Sequence, residues 1–77
     1  MKKENNNIYA VLHDYGTERY LKYETRLEYE AIVELEKHKN EIYKEYGAET
    51  DDNYVWLKSY DLNDSDDREE YENLKMY

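Results

Sequence analysis

Between residues 61 and 72 the chain places seven carboxylates, Asp61, Asp64, Asp66, Asp67, Glu69, Glu70 and Glu72, against one cation, Arg68. Like charges packed this closely repel one another and weaken a native state, so their presence asks for a use. A metal site is the first. Asp61, Asn63, Ser65, Glu69 and Glu72 fall at the first, third, fifth, ninth and twelfth positions of an EF-hand loop. Asp66, however, stands where the sharp turn needs glycine, Arg68 stands where an apolar residue is usual, and a strand precedes the loop instead of a helix. Acid–base catalysis is the second use, and paired carboxylates of the glycosidase kind need a cleft that 77 residues can hardly build. Nucleophilic chemistry has no cysteine to draw on, and Ser59, Ser65, His13 and His38 stand in no elbow or triad spacing. Gly16 and Gly47, the only glycines, make no phosphate loop. The chain is therefore read as a non-enzyme, with no catalytic, metal or cofactor residues. Helix-end electrostatics accounts for about three of the acids. The remainder reads as charge held for a partner.

The charge has a direction. Of the net −9, residues 49–77 carry −7 and residues 1–48 only −2. Such a field repels phosphate, so direct nucleic-acid binding and an anionic membrane are excluded as partners, and a basic protein surface is favoured. Immediately before the acids stand Tyr54, Trp56 and Tyr60, of residue types that anchor protein interfaces. They are either the core beneath a C-terminal helix or an exposed aromatic patch. A second acidic face, Glu30, Glu34, Glu41 and Glu45, follows helical spacing, with Lys37 and Lys44 beside it in partial compensation. Its plain reading is the solvated side of an amphipathic helix.

The elements that must carry these groups are legible. Thr25-Arg26-Leu27-Glu28 reads as a capping box and Gly47 as a left-handed exit, so one long helix is expected from Thr25 to Gly47. Ala31, Ile32, Leu35, Ile42, Tyr43 and Tyr46 fall on one side of it as the buried stripe, opposite the glutamates. Upstream, Ile8–Asp14 and Arg19–Glu24 read as strands joined at Tyr15-Gly16-Thr17-Glu18. A rival reading runs the helix from Thr17 through Tyr23; the hairpin is preferred because the Thr25 box is the stronger start signal. Tyr54–Tyr60 is the clearest strand, with Val55 and Leu57 turned to the helix. Any of Asn63, Asp64, Ser65 and Asp66 can cap a short second helix, from about Asp66, with Tyr71 and Leu74 on one side.

The fold expected is α+β, in the order β-β-α-β-α. The third strand returns beside the first in a small antiparallel three-stranded sheet, with the long helix packed on it and a short C-terminal helix. Leu12, Leu21, Leu35, Ile42, Val55 and Leu57 are the expected core. Residues 1–7 read as a disordered polar lead-in and 8–77 as a single small domain. Aliphatics are few and phenylalanine is absent, so eleven tyrosines and Trp56 must supply much of the burial. A partner, or a second copy in a homodimer, would supply more. No stretch reaches the ~20 apolar residues of a membrane span, and the apolar run after Asn7 is too short for a secretory signal. The expected location is the cytoplasm, and the Asn63-Asp64-Ser65 glycosylation acceptor reads as chance.

In its size, acidity, lack of cysteine and Tyr-, Asn-, Lys- and Glu-rich composition, the chain resembles small inhibitors that phages of AT-rich bacteria use against host defence. These are the anti-CRISPR and uracil-glycosylase inhibitors of the nucleic-acid-mimic kind. The likeness spans the chain without a signature motif. It implies a stoichiometric inhibitor that occupies the basic groove of a nucleic-acid-binding protein. On this reading Asp61, Asp64, Asp66, Asp67, Glu69 and Glu70 carry recognition, with Trp56 and Tyr60 as anchors. The alternative is a non-mimic interaction module, such as an antitoxin or small regulatory subunit, that binds through the aromatic sheet face.

Overall fold

The computed structural model describes residues 6–75. Five elements follow in the expected order: β1 (Asn7–Tyr15), β2 (Glu18–Thr25), α1 (Glu28–Tyr46), β3 (Asn53–Asp61) and α2 (Ser65–Leu74). The sheet order is β2-β1-β3, antiparallel throughout, so the protein is α+β as its sequence indicates. Most of the expected lead-in lies outside the described residues, but Asn6 and Asn7 are structured. Asn7 opens β1, and the Asn6 carbonyl accepts from the Leu62 amide at 3.1 Å.

The hairpin turns on Gly16 and Thr17, and Gly16 takes a φ of 65° that a side chain would disfavour. Its amide donates to the Asp52 carbonyl at 2.7 Å, which ties the hairpin tip to the loop before β3. β2 carries a bulge. Val11 pairs with Tyr23 and Leu12 with Leu21, so Lys22 has no opposite number. That extra residue breaks the two-residue alternation, and Leu21 and Tyr23 point to opposite faces of the sheet. Tyr23 packs with Val11, Ile42 and Val55 under α1; Leu21 packs with Ile8, Ala10, Leu12 and Tyr60 under α2. Strict alternation predicts both on one inner face, which holds only for an unbroken strand.

Each face of the sheet is thus covered by one helix. Of the expected core, Leu12, Ile42 and Val55 are buried, while Leu21, Leu35 and Leu57 are partly buried against them. At its C-terminal end α1 behaves as its sequence indicates: Gly47 has a φ of 84°, and its amide donates to the Tyr43 carbonyl at 2.9 Å. Its start differs. Thr25 ends β2, its Oγ1 accepts from the Leu27 amide at 3.1 Å, and the helix begins at Glu28 with no side-chain cap. The strand claims Thr25 first, through its pairing with Tyr9.

Rotation of α1 is the larger correction. Ala31 and Ile42 are buried and Leu35 half-buried, but Ile32, Tyr43 and Tyr46, expected beside them, are exposed. Seen down the axis, the apolar residues of α1 span an arc wider than the sheet can cover, and contact is made along its Ala31–Leu35–Ile42 edge. Glu30 and Glu34 are drawn to half-burial in consequence. Leu35→Ala should therefore cost about 1–2 kcal/mol in urea denaturation, the loss of a half-buried side chain. A cost above that range would place Leu35 deep in the core.

Candidate interaction surface

Beyond β3 the chain turns sharply, and its acids divide into those that build the turn and those left over. The Asp61 carboxylate accepts from the Asn63 amide, while the Asp61 amide donates to the Asp67 carboxylate, both at 2.9 Å. Asp64 is the N-cap of α2, its Oδ1 accepting from the Asp66 amide at 2.9 Å, and its carbonyl receives the Arg68 amide at 2.9 Å. Glu70 faces inward to Lys58 of β3, with Nζ to Oε2 at 2.6 Å. The Lys58 ammonium holds the Glu70 carboxyl below its ordinary value, outweighing the opposite effect of burial. Four members of the predicted acidic set, Asp61, Asp64, Asp67 and Glu70, are therefore structural.

The rest lie on the outer side of α2. Asp66 and Glu69 are exposed and engage no cation among the described residues, and Glu72 continues the same row at three-residue spacing. These three carboxylates form a ridge at intervals of ~5–6 Å. Glu72 falls outside the recognition set read from the sequence, although its spacing from Asp66 and Glu69 is a signal that could have found it. Asp66 sits in the first turn, where the helix dipole favours an anion. Glu72 sits in the last, where the dipole opposes one, and no basic residue of that turn offsets it. Among the described residues no three His, Asp or Glu side chains converge as metal ligands, and Ser65 onward is helix, not a coordinating loop.

The aromatic strand lies beneath α2. Tyr60 is fully buried against Ile8, Ala10, Leu12, Tyr71 and Leu74, with the Tyr71 ring centroid 5.8 Å away. It serves as core, not as an exposed anchor, because α2 folds back over the face on which alternation places it. Trp56 is half-buried beside it, and the Arg19 guanidinium lies over its ring at 5.1 Å from the centroid. Arg19 Nε also donates to Asp14 Oδ1 at 2.7 Å, and the Tyr54 hydroxyl donates to Asp14 Oδ2 at 2.7 Å. Burial alone would raise the Asp14 carboxyl; Arg19, Tyr54 and Trp56 outweigh it and hold the carboxyl below its ordinary value. This buried polar cluster joins residues forty positions apart, and no local sequence signal announces it.

The second acidic face is dispersed. Glu30 accepts from the Tyr23 hydroxyl, a bond that pushes the tyrosine pKa up to about 12. Glu34 and Glu41 flank His38 at 3.7 and 3.9 Å, ion pairs whenever the ring is protonated. Glu45 is exposed near Tyr46. Contact with the sheet splits this row, so α1 presents no continuous ridge like that of α2.

No protein-family model matches the chain, and neither a curated protein nor a solved structure is similar enough to lend it a family or a function. No helix among the described residues is long and apolar enough to cross a membrane.

Proposed function

We propose that this chain is an acidic protein-binding inhibitor that acts as a nucleic-acid mimic. It occupies the basic groove of a nucleic-acid-binding protein, in the anti-CRISPR-like manner that its composition resembles. The observation that carries this reading is the α2 ridge. Asp66, Glu69 and Glu72 are committed to no intramolecular cation among the described residues, while the neighbouring acids cap, bridge and pair. A regular row of unpaired carboxylates presents charge as a phosphate backbone does, and its field steers a basic surface towards it at salt-dependent rates. The alternative, an interaction module bound through the aromatic sheet face, is less well supported: Tyr60 is buried, and Trp56 lies half-buried beneath Arg19.

The test is a triple variant, Asp66→Asn, Glu69→Gln and Glu72→Gln, which leaves the Asp64 cap and the Glu70–Lys58 pair intact. Immobilised parent protein should retain basic nucleic-acid-binding proteins from a bacterial lysate and release them when salt or nucleic acid is added. The variant should retain them at least about tenfold more weakly. Equal retention by the variant, or retention indifferent to both salt and nucleic acid, would remove the mimic reading.

A further inference from the structure

Beside the edge that contacts the sheet, α1 carries a second pattern of its own. Tyr29, Ile32, Glu36, Lys39, Tyr43 and Tyr46 follow one another at alternating intervals of three and four, the a and d positions of a heptad. Apart from the half-buried Lys39, this seam lies outside what α1 buries against the sheet, which is Ala31, Leu35 and Ile42. Tyr29 is 68% exposed, Ile32 45%, Tyr43 51% and Tyr46 55%, and Val33 beside them is 60% exposed. Large apolar side chains exposed in one row along a single helix are the mark of an interface. Glu36, at the middle of the row, is exposed and engages no cation among the described residues.

We infer that this seam is a homodimer interface in which α1 of one protomer packs antiparallel against α1 of a second copy. The charges at its centre select this occupant. With the two-fold axis between residues 37 and 38, Tyr29 meets Tyr46 of the second copy, Ile32 meets Tyr43, and Glu36 meets Lys39. All contacts are duplicated by symmetry. Every apolar position then faces an apolar position, and the two polar layers, related by the two-fold axis, each pair opposite charges. A parallel arrangement would set Glu36 on Glu36 and Lys39 on Lys39, two like-charge layers in one seam. Orientation and register are therefore encoded together, the role that a polar layer plays in coiled coils. Lys39 is 39% exposed at its side chain and already meets Glu49 at 3.4 Å, a distance that leaves its ammonium donors for Glu36 of the second copy as well. The interface is on the opposite side of the sheet from α2, so a dimer would leave two acidic ridges facing outward. The inference is independent of the proposed function, because it needs no other protein.

Sedimentation equilibrium in ~0.15 M salt, from about 1 µM to about 1 mM chain, decides it. The parent should associate to a dimer and no further. Glu36→Lys changes an exposed residue that engages no partner among the described residues, so the fold should be kept, as circular dichroism will show. It sets lysine against Lys39 and should weaken association at least about tenfold. Lys39→Glu should do the same by setting glutamate against Glu36. The double variant E36K/K39E restores opposite charges and should dimerise again, and an equimolar mixture of the two single variants should form the heterodimer. A parent that stays monomeric over the range overturns the inference. So does a folded E36K that associates like the parent, or a double variant that is folded by circular dichroism and fails to recover.

Discussion

Tyr60→Ala should cost about 3–5 kcal/mol and leave little folded protein, because a small domain has a total stability near the low end of ~5–15 kcal/mol. Tyr60 is fully buried at the point where β3, β1 and α2 meet, and Ile8, Ala10, Leu12, Tyr71 and Leu74 pack around it. Removing the ring leaves a cavity that ten residues of helix cannot collapse to fill without leaving their own contacts with Leu12. Tyr60→Phe separates the ring from its hydroxyl. That hydroxyl is buried with no hydrogen-bond partner among the described residues, so phenylalanine should fall within ~1 kcal/mol of the parent. Urea denaturation of the two variants reads the difference directly. If Tyr60→Ala unfolds at the same urea concentration as the parent, α2 does not close this face of the sheet.

Asp14 should show the second large effect, with a dependence on pH that identifies its origin. It is 8% exposed, and it accepts from Arg19 and from the Tyr54 hydroxyl. Asp14→Ala strands the Tyr54 hydroxyl and removes the carboxylate under Arg19, at a cost of about 2–3 kcal/mol. The figure stays below that of a fully buried pair because the Arg19 side chain is 42% exposed and water replaces part of what it loses. In the folded protein the Asp14 carboxyl lies below its ordinary value of 3.8. A group lowered in this way stabilises the fold above its unfolded value, and the contribution fades as pH falls through the folded value. Parent stability should accordingly drop as pH falls below 3.8, and Asp14→Asn should flatten that limb of the curve. An acid limb of equal steepness in Asp14→Asn would assign the drop to other carboxylates.

Features set by neighbours along the chain are legible in the amino-acid sequence alone. Gly16 between two alternating segments marks the hairpin, Gly47 marks the end of α1, and Tyr54–Tyr60 reads as a strand from residue types alone. A cap for α2 among Asn63, Asp64, Ser65 and Asp66 is visible there, and so is the crowding of negative charge into the C-terminal third. In each case the deciding interaction spans a few residues, so the sequence contains both partners. Thr25 shows where this stops: the same local pattern suits a cap or a strand end, and pairing with Tyr9 across the hairpin decides between them.

Packing settled what local pattern left open. The bulge at Lys22 sends Leu21 and Tyr23 to opposite faces, which alternation cannot foresee because it assumes one residue for each pleat. Contact with the sheet chose the Ala31–Ile42 edge of a wide apolar arc on α1 and left the Tyr29–Tyr46 seam in solvent. Closure of α2 turned Tyr60 from a candidate anchor into core. It also brought Glu70 to Lys58, which separated structural acids from the free ridge of Asp66, Glu69 and Glu72. The composition determined that this protein is acidic and aromatic. Which acids and which aromatics meet solvent depended on how finite surfaces cover one another, a property of pairs of elements that neither element's sequence holds alone.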